Sequence, residues 1–210
     1  MTIHEEILSE KQKELLRNLH IFNEYPIYLA GGTALALQLG HRTSLDFDFN
    51  TSEKFDNKKI AKMLKKIPLS HELSEKQPEN TFLGKVNDIS LSIFYYPYKL
   101  LKPLISVPPI MLASLEDIAA MKTAAIVQRA KKRDFFDLYY LIENLGLDMI
   151  LKSTYQKYPW YEDNDTLVKI ALTYFAEADM DKEITKVTIF DKSLTWDHVK
   201  KSLQKAALQI

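Results

Sequence analysis

The sequence contains no cysteine, which excludes disulfides, Cys-ligated zinc and thiol nucleophiles and gives no sign of an oxidising compartment. Neither charge is in excess. Because 28 basic residues balance 28 acidic ones, bulk charge argues neither for nor against a nucleic-acid partner, and only a local basic patch could do so. Long apolar runs are absent as well: the longest uncharged stretch, Tyr25 to His41, is broken by Pro26 and Gly31-Gly32 and falls short of the ~20 apolar residues that span a bilayer. Met1 to Leu16 is charged throughout and lacks the apolar core of a secretory signal, so a soluble cytoplasmic protein with no membrane partner is expected. Internal repeats and low-complexity runs are missing, and His4, His20, His41, His71 and His198 are scattered without metal-ligand spacing.

What is present is the balance of an ordinary globular chain, 46% apolar and 27% charged over 210 residues. Apolar side chains at Ile7, Leu8, Leu15, Leu16 and Leu19 predict one amphipathic helix from His4 to Phe22. Pro26 to Ala30 reads as a short buried strand, Gly31-Gly32 as a break, and Thr33 to Leu39 as a helix closed by Gly40. Leu45 to Asn50 alternates with the strand period, Asn57 to Lys66 returns to a helical pattern, and further strands are expected at Ser70–Ser74, Thr81–Lys85 and Asp88–Tyr95. Pro103 to Pro109 reads as a connection. Beyond it the pattern is helical: Ser114 with Asp117 resembles a capping box and opens a helix through about Arg129, and others fit Asp134–Asn144, Leu147–Lys157, Thr166–Ala176 and Asp197–Leu208. The fold class is therefore α+β over residues 1–112, followed by an all-α domain over 113–210, with Trp160 and Trp196 as packing anchors.

Two features carry chemistry. Asp46 and Asp48 lie two apart on a predicted strand, so both carboxylates leave one face while Leu45, Phe47 and Phe49 leave the other. Such a pair is a half-site for Mg²⁺, which takes oxygen ligands and is commonly shared between one or two carboxylates and substrate phosphates. The ordinary alternative is a solvated edge strand. Gly31-Gly32-Thr33 sits between strand and helix, where bare backbone can approach phosphate and the helix N-terminus supplies unpaired N–H groups, or where an ordinary turn is capped by Thr33.

Leu29-Ala30-Gly31-Gly32-Thr33-Ala34-Leu35-Ala36-Leu37 followed by His41-Arg42-Thr43-Ser44-Leu45-Asp46-Phe47-Asp48-Phe49 resembles the signature of the AbiEii/AbiGii toxin family of nucleotidyltransferase-like proteins. The resemblance covers the core motifs from about Tyr25 to Asp137. It implies a mixed sheet flanked by helices, with Gly31, Gly32 and Thr33 cradling the phosphates of an NTP and Asp46 and Asp48 holding Mg²⁺. Arg42 would neutralise phosphate charge, or serve as a surface ion-pair partner.

Downstream, Lys122, Arg129 and Arg133 are spaced seven and four apart, which would align them on one continuous helix, and Asp134 and Asp137 share a face at a spacing of three. This arrangement again resembles the family, whose helical lobe brings a lysine and an acid to the nucleotide. By that resemblance Lys122 contacts phosphates and Asp134 or Asp137 bears on catalysis; the alternative is a charge network tying helices together.

The sequence departs from the pattern at one place. Many nucleotidyltransferases carry a third carboxylate on a later strand. Aligning Phe94-Tyr95-Tyr96-Pro97-Tyr98 to the family's aromatic-proline ending puts Ser92 at that position, and serine cannot do the acid's work. A one-metal mechanism, a base from the helical domain, or loss of catalysis all remain open. The resemblance thus implies a metal-dependent nucleotidyltransferase that modifies an acceptor such as tRNA, acting as the toxin of a toxin–antitoxin or abortive-infection pair with a protein antitoxin. The alternative is a nucleotide- or RNA-binding module of the same fold without turnover.

Overall fold

The computed structural model describes residues 2–23, 25–73 and 77–209. They divide into two compact units: residues 1–99 with 103–113, and residues 100–102 with 114–210. Leu100–Lys102 therefore belongs with the helical unit, although the sequence pattern joins it to the first.

The first unit is a seven-stranded mixed sheet with helices. In chain order its elements are α1 (Glu10–Asn18), β1 (Ile27–Leu29), α2 (Gly31–Leu39), β2 (Asp46–Thr51), α3 (Asn57–Leu64), β3 (His71–Leu73), β4 (Thr81–Val86), β5 (Ile89–Tyr95), β6 (Ile105–Val107) and β7 (Ile110–Leu112). The strand order is β3-β4-β5-β2-β1-β7-β6. The expected single opening helix is instead two short 3₁₀ turns flanking α1. Ser9 interrupts it, because its side chain and that of Gln12 form a reciprocal capping box, a start signal stronger than the apolar spacing that runs through it. The expected strand at Ser70–Ser74 is β3; its last residue, Ser74, lies outside the described residues. Pro103 to Pro109 is not a plain connection, since it contains β6 and leads into β7, and this antiparallel pair extends the sheet beyond β1.

Alternation builds the core. Phe47, Phe49, Leu91 and Ile93 are all at most 1% exposed and share one side of the sheet, where Ile93 lines a cavity with the buried Ile60 of α3. Asn87 and Asp88 both have positive φ and form the tight turn between β4 and β5, so Asp88 does not start a strand; its carboxylate pairs with Lys11.

The second unit is helical: α4 (Leu115–Gln128), α5 (Lys132–Leu145), α6 (Leu147–Lys157), α7 (Asp165–Thr173), α8 (Ala176–Met180) and α9 (Trp196–Ala207). The helix expected over Thr166–Ala176 is split into α7 and α8, with Tyr174 extended between them. Trp196 packs among Phe135, Phe136 and Phe175, whereas Trp160 is 46% exposed. Among the described residues no helix is long and apolar enough to cross a membrane.

Asp117 organises this unit. Ser114 caps α4 by accepting from the Asp117 backbone N–H at 3.0 Å, as the sequence suggests. The Asp117 carboxylate accepts from the Ser114 hydroxyl (2.8 Å), from the Leu101 backbone N–H (3.0 Å) and from the Lys157 ammonium (2.7 Å), with both charged side chains at most 1% exposed. Breaking a buried ion pair from one side leaves a charge without its counter-ion, at a typical penalty of about 3–5 kcal/mol. Asp117→Ala is accordingly expected to lower the unfolding free energy by about that amount, and adding Lys157→Met should restore most of it. Urea denaturation followed by circular dichroism checks both; a single-variant loss below about 1 kcal/mol would remove this pair from the account of the unit's stability.

Candidate active site

β2 and β5 run parallel with Asp46 opposite Ser90, Phe47 opposite Leu91, Asp48 opposite Ser92 and Phe49 opposite Ile93. Directly opposed residues on neighbouring strands point to the same face, so the core side takes the aromatic and aliphatic members and the other side takes Asp46, Asp48, Ser90 and Ser92. Both aspartates are half-buried, and Ser92 sits one strand spacing, about 4.8 Å, from Asp48. Ser92 thus stands where a third carboxylate would complete the group. Among the described residues there is no cluster of three or more His, Asp or Glu side chains suited to a metal ion, consistent with a pair rather than a triad here. Two carboxylates and a serine hydroxyl form an all-oxygen donor set, which fits Mg²⁺ shared with substrate phosphate.

The glycine turn meets the same aspartates. α2 begins at Gly31, two residues earlier than the expected Thr33, and its N-cap is Ala30, which has no side chain able to cap it. Gly31 has φ +63°, in the left-handed region that favours glycine, and a Cβ there would lie 3.5 Å from Asp48 Oδ2. The Ala30 backbone N–H donates to the Asp48 carbonyl at 2.9 Å, fixing the end of β1 against β2. The first turn of α2 and the carboxylate of Asp48 are therefore held side by side on rigid elements.

Thr33 is not at the cap. It is 1% exposed, its hydroxyl lies 2.7 Å from Ser44 Oγ and hydrogen-bonds the Asp46 carbonyl, and so it ties α2 to the start of β2. Gln12 reaches the same place, donating to the Ser44 carbonyl at 2.9 Å. Arg42 is 2% exposed rather than a surface group, and its Nη1 donates to the Thr43 carbonyl at 2.9 Å. A Cβ at Gly32 would overlap Arg42 Nη2. The absent side chain at Gly32 therefore makes room for a guanidinium behind the turn, a packing reason that the sequence pattern does not reveal.

The other sequence-derived candidates lie in the helical unit. Lys122 on α4 has its Nζ 2.6 Å from Asp134 Oδ1 and 2.6 Å from Asp137 Oδ2 on α5, and both aspartates are 0% exposed. The three form a buried ion triad that ties α4 to α5, and Asp134 Oδ2 has no hydrogen-bond partner among the described residues. The expected continuous helix through Lys122, Arg129 and Arg133 is broken: α4 ends at Gln128, Arg129 is extended with φ −158° and ψ 97°, and α5 begins at Lys132. Arg129 and Arg133 consequently do not continue the Lys122 face. Sequence reading missed the roles of Ser44, Gln12 and Lys157, whose partners lie 11 to 40 residues away and leave no local signature.

Comparison with known proteins identifies the family and the fold. A family model described as nucleotidyl transferase AbiEii toxin, type IV TA system, matches residues 14–82 and 86–206. An uncharacterised protein of Aquifex aeolicus (strain VF5) is 35% identical over 182 residues, covering 81% of this chain and 84% of that protein. Among solved structures, a Helicobacter pylori protein provisionally described as a nucleotidyltransferase superposes with a TM-score of 0.62 at 20% identity, covering 96% of this chain and 95% of its own. MenT4, a nucleotidyltransferase toxin of Mycobacterium tuberculosis H37Rv, gives 0.60 at 16% identity over 97% of this chain and 90% of its own. The mixed sheet with its helices is thus the nucleotidyltransferase fold.

The packing of Arg42 on Gly32 has a measurable signature. Gly32→Ala is expected to destabilise by about 1–3 kcal/mol, as overpacking does, and to cost less in an Arg42→Ala background. A double-mutant cycle by chemical denaturation should return a coupling of about 0.5–3 kcal/mol. Strict additivity would mean that the guanidinium does not occupy the space beside Gly32.

Proposed function

Because the chain belongs to the AbiEii family of nucleotidyl transferase toxins, we propose that it transfers a nucleotidyl group from an NTP to an RNA acceptor, with tRNA the leading one, using Mg²⁺ and acting in the cytoplasm under the restraint of a protein antitoxin. The observation that carries this reading is the meeting of Asp48 with Gly31 at the start of α2, on the sheet face that also presents Asp46. The α2 amides bind phosphate oxygens and the helix dipole favours their charge. Asp46 and Asp48 would hold Mg²⁺, whose chemistry there is to neutralise triphosphate charge. Gly31 admits the phosphate, Thr33 and Ser44 keep α2 at a fixed distance from β2, and Arg42 braces the turn from within. Lys122 places two of its three ammonium donors on Asp134 and Asp137, which favours the charge network tying α4 to α5 as its role.

Ser92 favours a second reading, a nucleotide- or RNA-binding module without turnover, because a serine hydroxyl beside Asp48 neither takes a proton at neutral pH nor adds an anionic metal ligand. Incubation with labelled NTPs, Mg²⁺ and total tRNA separates the two: label on the acceptor supports the transferase, and tight NTP binding with no transfer supports the module.

Asp46→Asn and Asp48→Asn are each expected to abolish the Mg²⁺-dependent part of NTP affinity and leave the fold intact, since both side chains are only half-buried on the open face. Titration calorimetry with and without Mg²⁺ reads this, and unchanged Mg²⁺-dependent affinity in both variants removes the metal assignment. Ser92→Asp restores an acid next to Asp48, and a second Mg²⁺ is expected to bind in the presence of NTP. Unaltered Mg²⁺ stoichiometry in that variant would count against the missing-acid account.

A further inference from the structure

The chain is neutral overall, yet its charge is unevenly placed. Residues 54–66 contain six lysines and a single acid, Asp56, whose Oδ1 caps α3 by accepting from the Lys58 backbone N–H at 2.8 Å. Lys54, Lys58, Lys59, Lys62, Lys65 and Lys66 are all exposed, while Ile60 and Leu64 bury the opposite face of the helix. Lys58, Lys62 and Lys65 follow the helical repeat and line one wall of a groove of about 930 Å³, with His71 of β3 also lining it and Asp56 and Glu79 as its acids. An amphipathic helix needs some charge on its solvent face, but an ordinary solvated face mixes both signs. Along residues 54–66 lysine outnumbers acid six to one, and three of these lysines line the groove.

The groove lies on the sheet face opposite the aspartates and is bounded by the edge strand β3, whose His71 and Leu73 line it. β3 is the edge strand, and beyond it the face that carries Asp46 continues across the sheet as the row Glu72, Lys85, Ser90, Asp46. Lys85 is half-exposed, with its ammonium 3.3 Å from Glu72, and β3 lies about 14 Å, three strand spacings, from β2. A flexible polyanion bound along α3 therefore reaches Asp46 by rounding the β3 edge and running about 14 Å across β4 and β5, with Lys85 on its path.

We infer that the lysine face of α3, together with Lys85, is the docking surface for the phosphodiester backbone of an RNA strand, which it delivers over the β3 edge to the face bearing Asp46 and Asp48. This assignment rests on the RNA-acceptor reading above for its direction of travel, but RNA binding itself needs no turnover. Lysines act on phosphate as mobile point charges, so the contact should be sequence-tolerant and strongly dependent on salt.

The test uses the full chain and fluorescently labelled bulk tRNA, with affinity measured across a salt series. The triple substitution Lys58→Gln, Lys62→Gln, Lys65→Gln is expected to weaken binding and to reduce the slope of log affinity against log salt by about 2 to 3, while calorimetric Mg²⁺-dependent NTP affinity stays at the wild-type value. A charge-matched triple on the helical unit, Lys182→Gln, Lys201→Gln, Lys205→Gln, should leave the slope nearly unchanged. Equal losses in the two triples, or wild-type affinity and slope in the first, overturn the assignment. Poly-glutamate binding the wild type as tightly as RNA would overturn it too, in favour of an acidic protein partner. Failure of label transfer alongside a reduced slope in the α3 triple would sink the transferase reading and leave the docking surface standing.

Discussion

The pairing of β2 with β5 is the constraint on which the first unit depends. With Asp46 on Ser90 and Phe47 on Leu91, every second residue of both strands goes to the core and the remainder to the open face. A slip of one residue would drive two carboxylates into apolar surroundings and turn Phe47 and Phe49 outward, so burial of the aromatic rings enforces the position of the acids. The site is thereby built on strand backbone rather than on loops. Its second component, the start of α2, is attached to the same strand twice, through the Ala30 amide on the Asp48 carbonyl and through Thr33 on the Asp46 carbonyl.

The glycine pair illustrates how one motif answers two physical demands. Gly31 takes a backbone conformation that side-chain-bearing residues rarely adopt and leaves space in front of Asp48. Gly32 instead leaves space for Arg42, a cation buried directly behind the turn.

The helical unit is held by charge inside apolar packing. Asp117 with Lys157 and Lys122 with Asp134 and Asp137 are buried ion groups whose separation on the chain spans 12 to 40 residues. Such groups add little net stability over a well-packed apolar alternative, but each fixes which helices meet and in what register, because a mispaired arrangement would leave a bare charge in the interior. The two groups together account for the placement of α4 against both α5 and α6.

Local signals in the sequence determined most of the elements: the alternation of Leu45 to Asn50, the Ser114 cap, the apolar spacing of Leu147–Lys157 and the glycine pair that opens α2 all depend on neighbours within a few residues. Adjacent motifs on that scale also singled out Gly31, Asp46 and Asp48 as candidate site residues. The pairing of Asp48 with Ser92, the burial of Arg42 beneath Gly32, the addition of β6 and β7 to the sheet and the enclosure of Lys122 by two aspartates were decided by the tertiary structure alone. Each of these sets a side chain's neighbours by contacts distant along the chain, and residue spacing specifies which face a side chain leaves from but not what the fold brings to meet it.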